Sequence, residues 1–427
     1  MGSKTDNIVK NIKNLWAKGA LHVIMSSFAT KFVGMVGSIF VVKLLSKADY
    51  GVLGYVENIY GYVFIFAGLG LSNAALRYLI IGAPERRKIY YRYIYRLSLA
   101  IDIALAVGMT FVSGFVNYPD DFKMAAVFVP VISLLIPCQD LLNDGLYALR
   151  ATFRTRQYAY CSFAISAMLV LGRIVGAKAA GAMGVIVSRV LINGCGALVL
   201  YLFTRRFFEK PQKDDHLSEQ EKKDVKRFSF QYMLTNGLWS IFMLNDVLIL
   251  GMFSQSSSSV ADYKVAYVLP AAISIFSSSI GLFVSPYFTR NENDKSWVRR
   301  NFKVAYGCTA IVVGAAALFL GVFARPLIVL LYGSTYENVV GLMRMLLVAA
   351  FFNAGLRFTT ANLLSAMNKV KYNMIISFIG MALQIALDII LVQRWSAYGV
   401  AMSSCIVYLF MAVSLMGIFI NEYYVKR

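Results

Sequence analysis

Ala48-Asp49-Tyr50 stands between two apolar runs, Val33–Leu45 and Val63–Ile81, and the triplet returns as Ala261-Asp262-Tyr263, again between apolar runs. The copies lie 213 residues apart, and the offset persists: Arg77 maps onto Arg290, each closing its apolar run. Gly184-Val185-Ile186-Val187-Ser188 is echoed 215 residues later by Gly399-Val400-Ala401-Met402-Ser403. Three matched residues alone could be chance, but the shared offset and setting favour an internal duplication, a common construction in transporters. The triplet then marks one helical hairpin, used once in each half. Asp49 and Asp262 are expected to cap the helices they open, each carboxylate on free backbone N–H groups.

Of 427 residues, 59% are hydrophobic and 15% charged, with a mean hydropathy of +0.63. A soluble domain carries roughly 25% charge. The apolar runs reach the roughly 20 residues that a helix needs to cross hydrocarbon. They do not alternate over about ten residues as membrane β-strands do. The fold class is therefore all-α and polytopic. The formal charge of +20 raises the possibility of nucleic acid, but its distribution fits a membrane protein instead. Five cysteines (Cys138, Cys161, Cys195, Cys308, Cys405) all fall within apolar runs and none has CxxC spacing, so neither a metal site nor a disulfide framework is expected. No cleavable signal peptide is expected, because residues 1–18 are polar and basic and the first apolar run is too long.

Twelve spans are predicted: 20–44, 52–81, 93–116, 122–148, 158–179, 182–204, 229–253, 263–288, 303–324, 338–366, 371–393 and 398–420. They group into an N-lobe over 19–204 and a C-lobe over 228–421. A mixed-charge segment at 205–227 reads as a solvated linker and 422–427 as a tail. Residues 1–18 place Ile8, Ile12, Leu15 and Trp16 on one side among lysines, as in a short interfacial helix. Most of the 42 Lys and Arg residues fall at the termini and in the even-numbered connections. Only Lys43, Lys47, Lys123, Lys178, Lys264, Arg325 and Arg394 flank the odd-numbered ones. The positive-inside rule then puts both termini in the cytoplasm and accounts for the basic charge. Six spans per half, both halves starting on the same side, make the repeat parallel.

An ionisable residue at the centre of a span costs at least about 2.5–3.5 kcal/mol, so each needs a reason. Lys31 in span 1 and Asp246 in span 7 occupy near-equivalent positions with opposite sign, as do Arg173 in span 5 and Asp388 in span 11. If spans 1 and 7 face each other, Lys31 and Asp246 could pair in one state and part in another; equally, Lys31 snorkels inward and Asp246 bonds within its own lobe. Glu57 lies in the outer part of span 2, Asp102 near the middle of span 3, Arg189 and Arg344 about a third of the way down, and Arg357 in span 10. Asp140 and Asp144 are expected to pair with Arg150 and Arg154 at their helix end. Arg77 and Arg290 fall at the cytoplasmic rim. A base without an acid in span 1, flanked by His22, Ser26, Ser27 and Thr30, leans toward an anionic, phosphate-bearing substrate.

The span 1–2 turn Leu45-Ser46-Lys47-Ala48-Asp49-Tyr50-Gly51, then Gly68-Leu69-Gly70-Leu71 with Arg77, resembles the polysaccharide-transport branch of the multidrug/oligosaccharidyl-lipid/polysaccharide flippase superfamily. So do Asn245-Asp246-Val247-Leu248-Ile249-Leu250-Gly251, Leu364-Ser365-Ala366-Met367-Asn368-Lys369 and Tyr398-Gly399-Val400-Ala401. These are the Wzx-type flippases of lipid-linked sugar repeat units, and the resemblance covers essentially the whole chain. It implies a V-shaped, MATE-like pair of pseudo-symmetric six-helix lobes in a bacterial inner membrane. The implied substrate is an undecaprenyl-pyrophosphate-linked oligosaccharide, moved outward by alternating access, with a polysaccharide polymerase and glycosyltransferases as working partners. Lys31, and with it Arg77, Lys264 and Arg290, match the cationic cleft positions that meet pyrophosphate. Asp246, Glu57, Arg173 and Asp388 are the gating or coupling candidates; coupling to H+ or Na+ needs a titrating acid. The chain departs from lipid II flippases in lacking an extra pair of spans, and from drug exporters in carrying Lys31 where they tend to carry an acid. A cation-coupled small-molecule exporter of the same fold is the alternative. With only His22 and His216 as histidines, no catalytic constellation stands out, so no enzyme and no resident cofactor is expected.

Overall fold

In lipid every backbone N–H and C=O must be satisfied within the segment, which leaves helices as the solution for runs of this composition. The computed structural model describes residues 20–82, 84–207, 216–367 and 369–425, and among them every regular element is a helix. The expected interfacial segment at 1–18 and the side chain of Lys31 lie outside the described residues. The chain packs as two compact units, Met1–Ser240 and Ile241–Arg427.

The first unit contains α1 (Ala20–Leu44), α2 (Lys47–Phe64), α3 (Leu71–Ile81), α4 (Arg87–Ser113), α5 (Ala125–Ser133), α6 (Leu135–Ala151), α7 (Thr155–Thr204) and the start of α8 (Glu219–Ser254). The second continues with α9 (Ser257–Ala272), α10 (Ser274–Arg290), α11 (Lys295–Val322), α12 (Ala324–Tyr332), α13 (Val340–Ala350), α14 (Phe358–Ala366) and α15 (Val370–Ile420). Among the described residues, seven helical stretches, or eight if the bent pair α2–α3 counts as one, are long and apolar enough to cross a membrane. Each predicted span has helix at its position among the described residues.

Two of the long helices are hairpins. Within α7 the backbone leaves helical geometry at Ala180 and Gly181, and Gly181 has φ +58°. Within α15 the break is at Ser396, with φ +46°. Gly181 and Ser396 stand at the same offset that relates Gly184 to Gly399, so the duplication extends to the turn. Just past each turn the arms come close. A Cβ on Gly184 would sit 2.0 Å from the Gly176 carbonyl oxygen, and one on Gly399 would sit 2.3 Å from that of Leu391. Lipid supplies no hydrophobic force between helices, so such backbone-on-backbone contact through small residues is a principal source of association.

The caps differ from expectation. Ser46 is the N-cap of α2: its Oγ accepts from the Asp49 N–H at 3.0 Å and donates to the Asp49 carboxylate at 2.8 Å. Ser256 caps α9, while Asp262 accepts from Asn338 at 2.9 Å. Asp49 is the third residue of its helix and Asp262 the sixth, so the N-cap position itself falls to the serines before them.

The stretch read as a solvated linker is folded in part. Ser218 and Glu221 form a capping box at the start of α8, the Ser218 N–H reaching the carboxylate at 2.8 Å. Glu221 also takes Arg86 at 2.8 Å and the Tyr90 hydroxyl at 2.9 Å. Leu217 and Val225 are buried in one cluster with Leu71, Leu79, Tyr90 and Ile94. The helix is amphipathic here, so its few apolar residues suffice to dock it on α3 and α4. In the second unit, Phe288, Phe302, Leu364, Leu415 and Phe419 form one core cluster, and Phe242, Ala349, Val407 and Met411 another. Glu422, in the π-helical turn after α15, binds Lys369 at 3.1 Å and the Tyr372 hydroxyl at 2.9 Å.

Candidate functional sites

A polar cavity of about 560 Å³ lies inside the first unit, walled by α2, α6 and both arms of α7. Glu57 enters it from α2. Its Oε1 accepts from Arg189 Nη1 at 2.7 Å and from Arg173 Nη2 at 3.4 Å, so two guanidinium groups share one carboxylate. Arg189 also lies 5.9 Å from the centre of the Tyr60 ring, and the Tyr60 hydroxyl donates to Gln139 at 3.1 Å. Asn143, Ser162, Ser166 and Asn193 complete the polar wall. The Arg173 Nε is buried and has no hydrogen-bond partner among the described residues. Two positive charges against one negative leave the cavity net positive. A guanidinium fork with an idle N–H suits a carboxylate or phosphate oxygen, and the amides and hydroxyls suit sugar hydroxyls.

A second polar group lies in the second unit. Asp388, fully buried, accepts from Asn245 at 2.9 Å, from Gln384 at 3.2 Å and from the Ser403 hydroxyl. Asp246 accepts from Gln384 at 3.1 Å, from Ser404 at 3.3 Å and from the Tyr263 hydroxyl. The Gln384 amide bridges the two carboxylates, while its own oxygen is buried with no donor among the described residues. Two carboxylates, an idle amide oxygen and two serine hydroxyls make an oxygen-rich pocket suited to a small monovalent cation or a proton.

Of the eight sequence candidates, the structure brings Glu57 and Arg173 together in the first group, and Asp246 and Asp388 together in the second. Asp246 bonds within its own unit. Arg77 is exposed with its guanidinium 4.8 Å above the Phe228 ring, Arg290 is exposed at the end of α10, and Lys264 is half-buried on α9. The expected pairing of Asp140 and Asp144 with Arg150 and Arg154 does not occur. Arg150 lies over Tyr147 and Tyr158, and Arg154 over Phe207, while Asp140 accepts from Ser72 at 2.9 Å and Ser98 at 3.1 Å. The two carboxylates face α3 and α4, whereas the arginines follow the helix to its end and bend back onto aromatic rings. Arg357, fully enclosed in a π-helical turn, donates to Asn353 at 2.7 Å, and Arg344 donates to the Gly321 carbonyl at 3.1 Å. Asn245 and Ser403 stand in the sequence motifs without a site role, and Gln139, Asn193, Gln384 and Ser404 join the two groups unannounced. Each is a polar residue inside an apolar run; Gln384 and Asp388 are one helical turn apart, which was the available signal.

Residues 40–341 match the profile of a family described as polysaccharide biosynthesis protein. Among solved structures, an inward-facing multidrug resistance MATE family transporter of the MOP superfamily aligns with a TM-score of 0.71 at 15% identity, over 93% of this chain and 96% of its own. The lipid II flippase MurJ, in an inward closed conformation, aligns with a TM-score of 0.74 at 15% identity, over 93% of this chain and 87% of its own. A MOP superfamily transporter from Pyrococcus furiosus, described as having a binding pocket of reverse polarity, aligns at 0.65 and 15% identity, over 96% of each chain. At these identities the likeness establishes the fold. No curated protein matches the sequence.

Proposed function

The chain belongs to the polysaccharide biosynthesis protein family, and from this premise we propose that it is a flippase. Its cargo on this reading is an undecaprenyl-pyrophosphate-linked oligosaccharide repeat unit, carried from the cytoplasmic to the outer leaflet by alternating access. The observation that carries the reading is the net-positive cavity of Glu57, Arg173 and Arg189. A membrane protein that moves only apolar or cationic molecules has no use for surplus guanidinium charge lined with amides. An acidic, hydroxyl-rich head group does, because every donor and acceptor it loses from water must be replaced. Lys31, Arg77, Lys264 and Arg290 are assigned to the pyrophosphate, whose charge calls for several cations. The prenyl tail stays in the lipid throughout. Both termini are placed in the cytoplasm of a bacterial cell, which sets the direction of transport.

The Asp246–Asp388 group is assigned to coupling with H+ or Na+, on the strength of its paired carboxylates and the idle Gln384 oxygen. The same group would serve a cation-coupled exporter, so cargo separates the two readings. In a deletion strain, loss of surface polysaccharide with unchanged drug susceptibility supports the flippase; a shifted inhibitory concentration with intact polysaccharide supports the exporter. Lys31→Ala is expected to abolish surface polysaccharide at normal protein level. Normal polysaccharide in that strain removes Lys31 from the mechanism.

A further inference from the structure

Three carboxylates gather in the first unit around a break in span 2. Residues Ala67–Gly70 leave the helix between α2 and α3, with Gly68, Leu69 and Gly70 at φ +51°, +47° and +80°, and the two helices meet at a bend of 43°. Left-handed geometry at Leu69 costs about 1–2 kcal/mol, so neighbours must hold the break in place. Asp102 does so directly: its Oδ1 accepts from the Gly68 N–H at 2.7 Å. Asp140 takes the Ser72 hydroxyl of α3 and the Ser98 hydroxyl of α4. The fit is tight, since a Cβ on Gly68 would meet both Asp140 Oδ2 and Ser98 Oγ at 2.5 Å.

The hydrogen bonds do not close. Asp102 Oδ2 and both oxygens of Asp144 are buried without a partner among the described residues. Asp144 and Asp102 are fully buried and Asp140 is 5% exposed. Asp144 lies one helical turn beyond Asp140 on α6, and the single hydroxyl proton of Ser72 is held by Asp140. Among the described residues the other ionisable side chains near the group are Tyr60 from α2, Tyr91 and Tyr95 from α4, and Tyr147 from α6, none of which can carry a positive charge. Arg189 reaches Tyr60 and is spent on Glu57. Among the described residues no Lys, Arg or His forms an ion pair with any of the three. Three negative charges on two adjacent spans with no cation paired to them are not sustainable, and like charges this close cannot all ionise. What the group lacks is donors, and a bound proton is a donor.

We propose that Asp102, Asp140 and Asp144 form a proton-binding site whose occupancy sets the geometry of the span 2 break. Protonation places O–H donors between the carboxylates and holds the clasp on Gly68 shut. Loss of a proton leaves adjacent charges that repel, and the hold on the Gly68 N–H and Ser72 changes, so α3 moves relative to α2. The site is separate from the Asp246–Asp388 group and stands whatever the cargo is.

The test uses the full chain in nanodiscs. Infrared difference spectra across H/D exchange read the carboxylic-acid C=O band, and spin labels at the exposed positions Ala48 and Ile81 read the end-to-end length of span 2. In the otherwise unmodified labelled chain, the band is expected at neutral pH and is lost on alkalinisation, with the label distance shifting over the same pH range. Asp144→Asn is expected to reduce the band and move that range, while Asp120→Asn, on the exposed stretch before α5, leaves both unchanged. Should Asp144→Asn fail to fold, the pH titration of the labelled chain decides alone. A band absent at neutral pH, a band removed by Na+ at constant pH, or a label distance indifferent to pH each overturns the proposal.

Discussion

Replacing Glu57 by glutamine separates two consequences of the ion trio that have opposite signs. Glutamine keeps an acceptor oxygen where Glu57 Oε1 stands, so the 2.7 Å contact from Arg189 and the 3.4 Å contact from Arg173 can persist while the charge is lost. A hydrogen bond to a charged group contributes about 1.5–3 kcal/mol, and one with less charge assistance about half that. The three side chains are 18–24% exposed, so solvent screening trims the upper end and the unit loses about 1–2 kcal/mol. At about 2–4 °C per kcal/mol for a folded body of this size, the melting temperature falls by about 2–8 °C. The second consequence is a gain. Two guanidinium groups freed of their carboxylate should hold an added anion about tenfold tighter, which is about 1.4 kcal/mol. Thermal unfolding of the full chain in nanodiscs, with and without glucuronate or inorganic phosphate, reads both effects. An unchanged melting temperature would show that the trio is not formed. Equal stabilisation of wild type and variant by the anion would refute the cavity as an anion site.

Gly68→Ala should destabilise the first unit by about 2–4 kcal/mol, combining left-handed backbone with a Cβ forced against Asp140 and Ser98; wild-type thermal stability in that variant would disprove the clasp. At the start of α8, burial raises the Glu221 carboxyl, but hydrogen bonds from Ser218 and Tyr90 and the Arg86 charge outweigh it and hold its pKa below the ordinary value. Its contribution is therefore present above the ordinary carboxylate range and lost as pH falls through the depressed value. Glu221→Gln should cost about 1–3 kcal/mol at neutral pH and flatten the acid limb of the stability curve, and an unaltered acid limb would contradict this. Asp388→Asn should abolish the response of transport to an imposed H+ or Na+ gradient while leaving gradient-free exchange measurable; identical gradient responses in wild type and variant would end the coupling assignment.

The spans and the duplication were legible in the sequence because lipid makes a single demand on the backbone and the apolar runs answer it directly. The hairpin turn at Gly181 could be suspected from its glycine, whereas Ser396 and Leu69 hold left-handed geometry without one and give no local sign. Single residues of the site were visible as charges in hydrocarbon. Their partners were not: Arg189 reaches Glu57 across 132 residues and Asn245 reaches Asp388 across 143, and no local rule joins them. The expectation for Asp140 and Asp144 failed for the same reason. Ser72 and Ser98 from other helices hold Asp140 in place of its helical neighbours, and Asp144 has no partner among the described residues.

Translocation itself is the most direct measurement. The purified full chain is placed in liposomes carrying a fluorescent undecaprenyl-pyrophosphate oligosaccharide, and movement between leaflets is followed by protection of the label from an impermeant quencher. The account predicts protein-dependent translocation that is slowed by Arg173→Gln. Translocation no faster than in protein-free liposomes, by a chain that is folded in the same preparation, would contradict it.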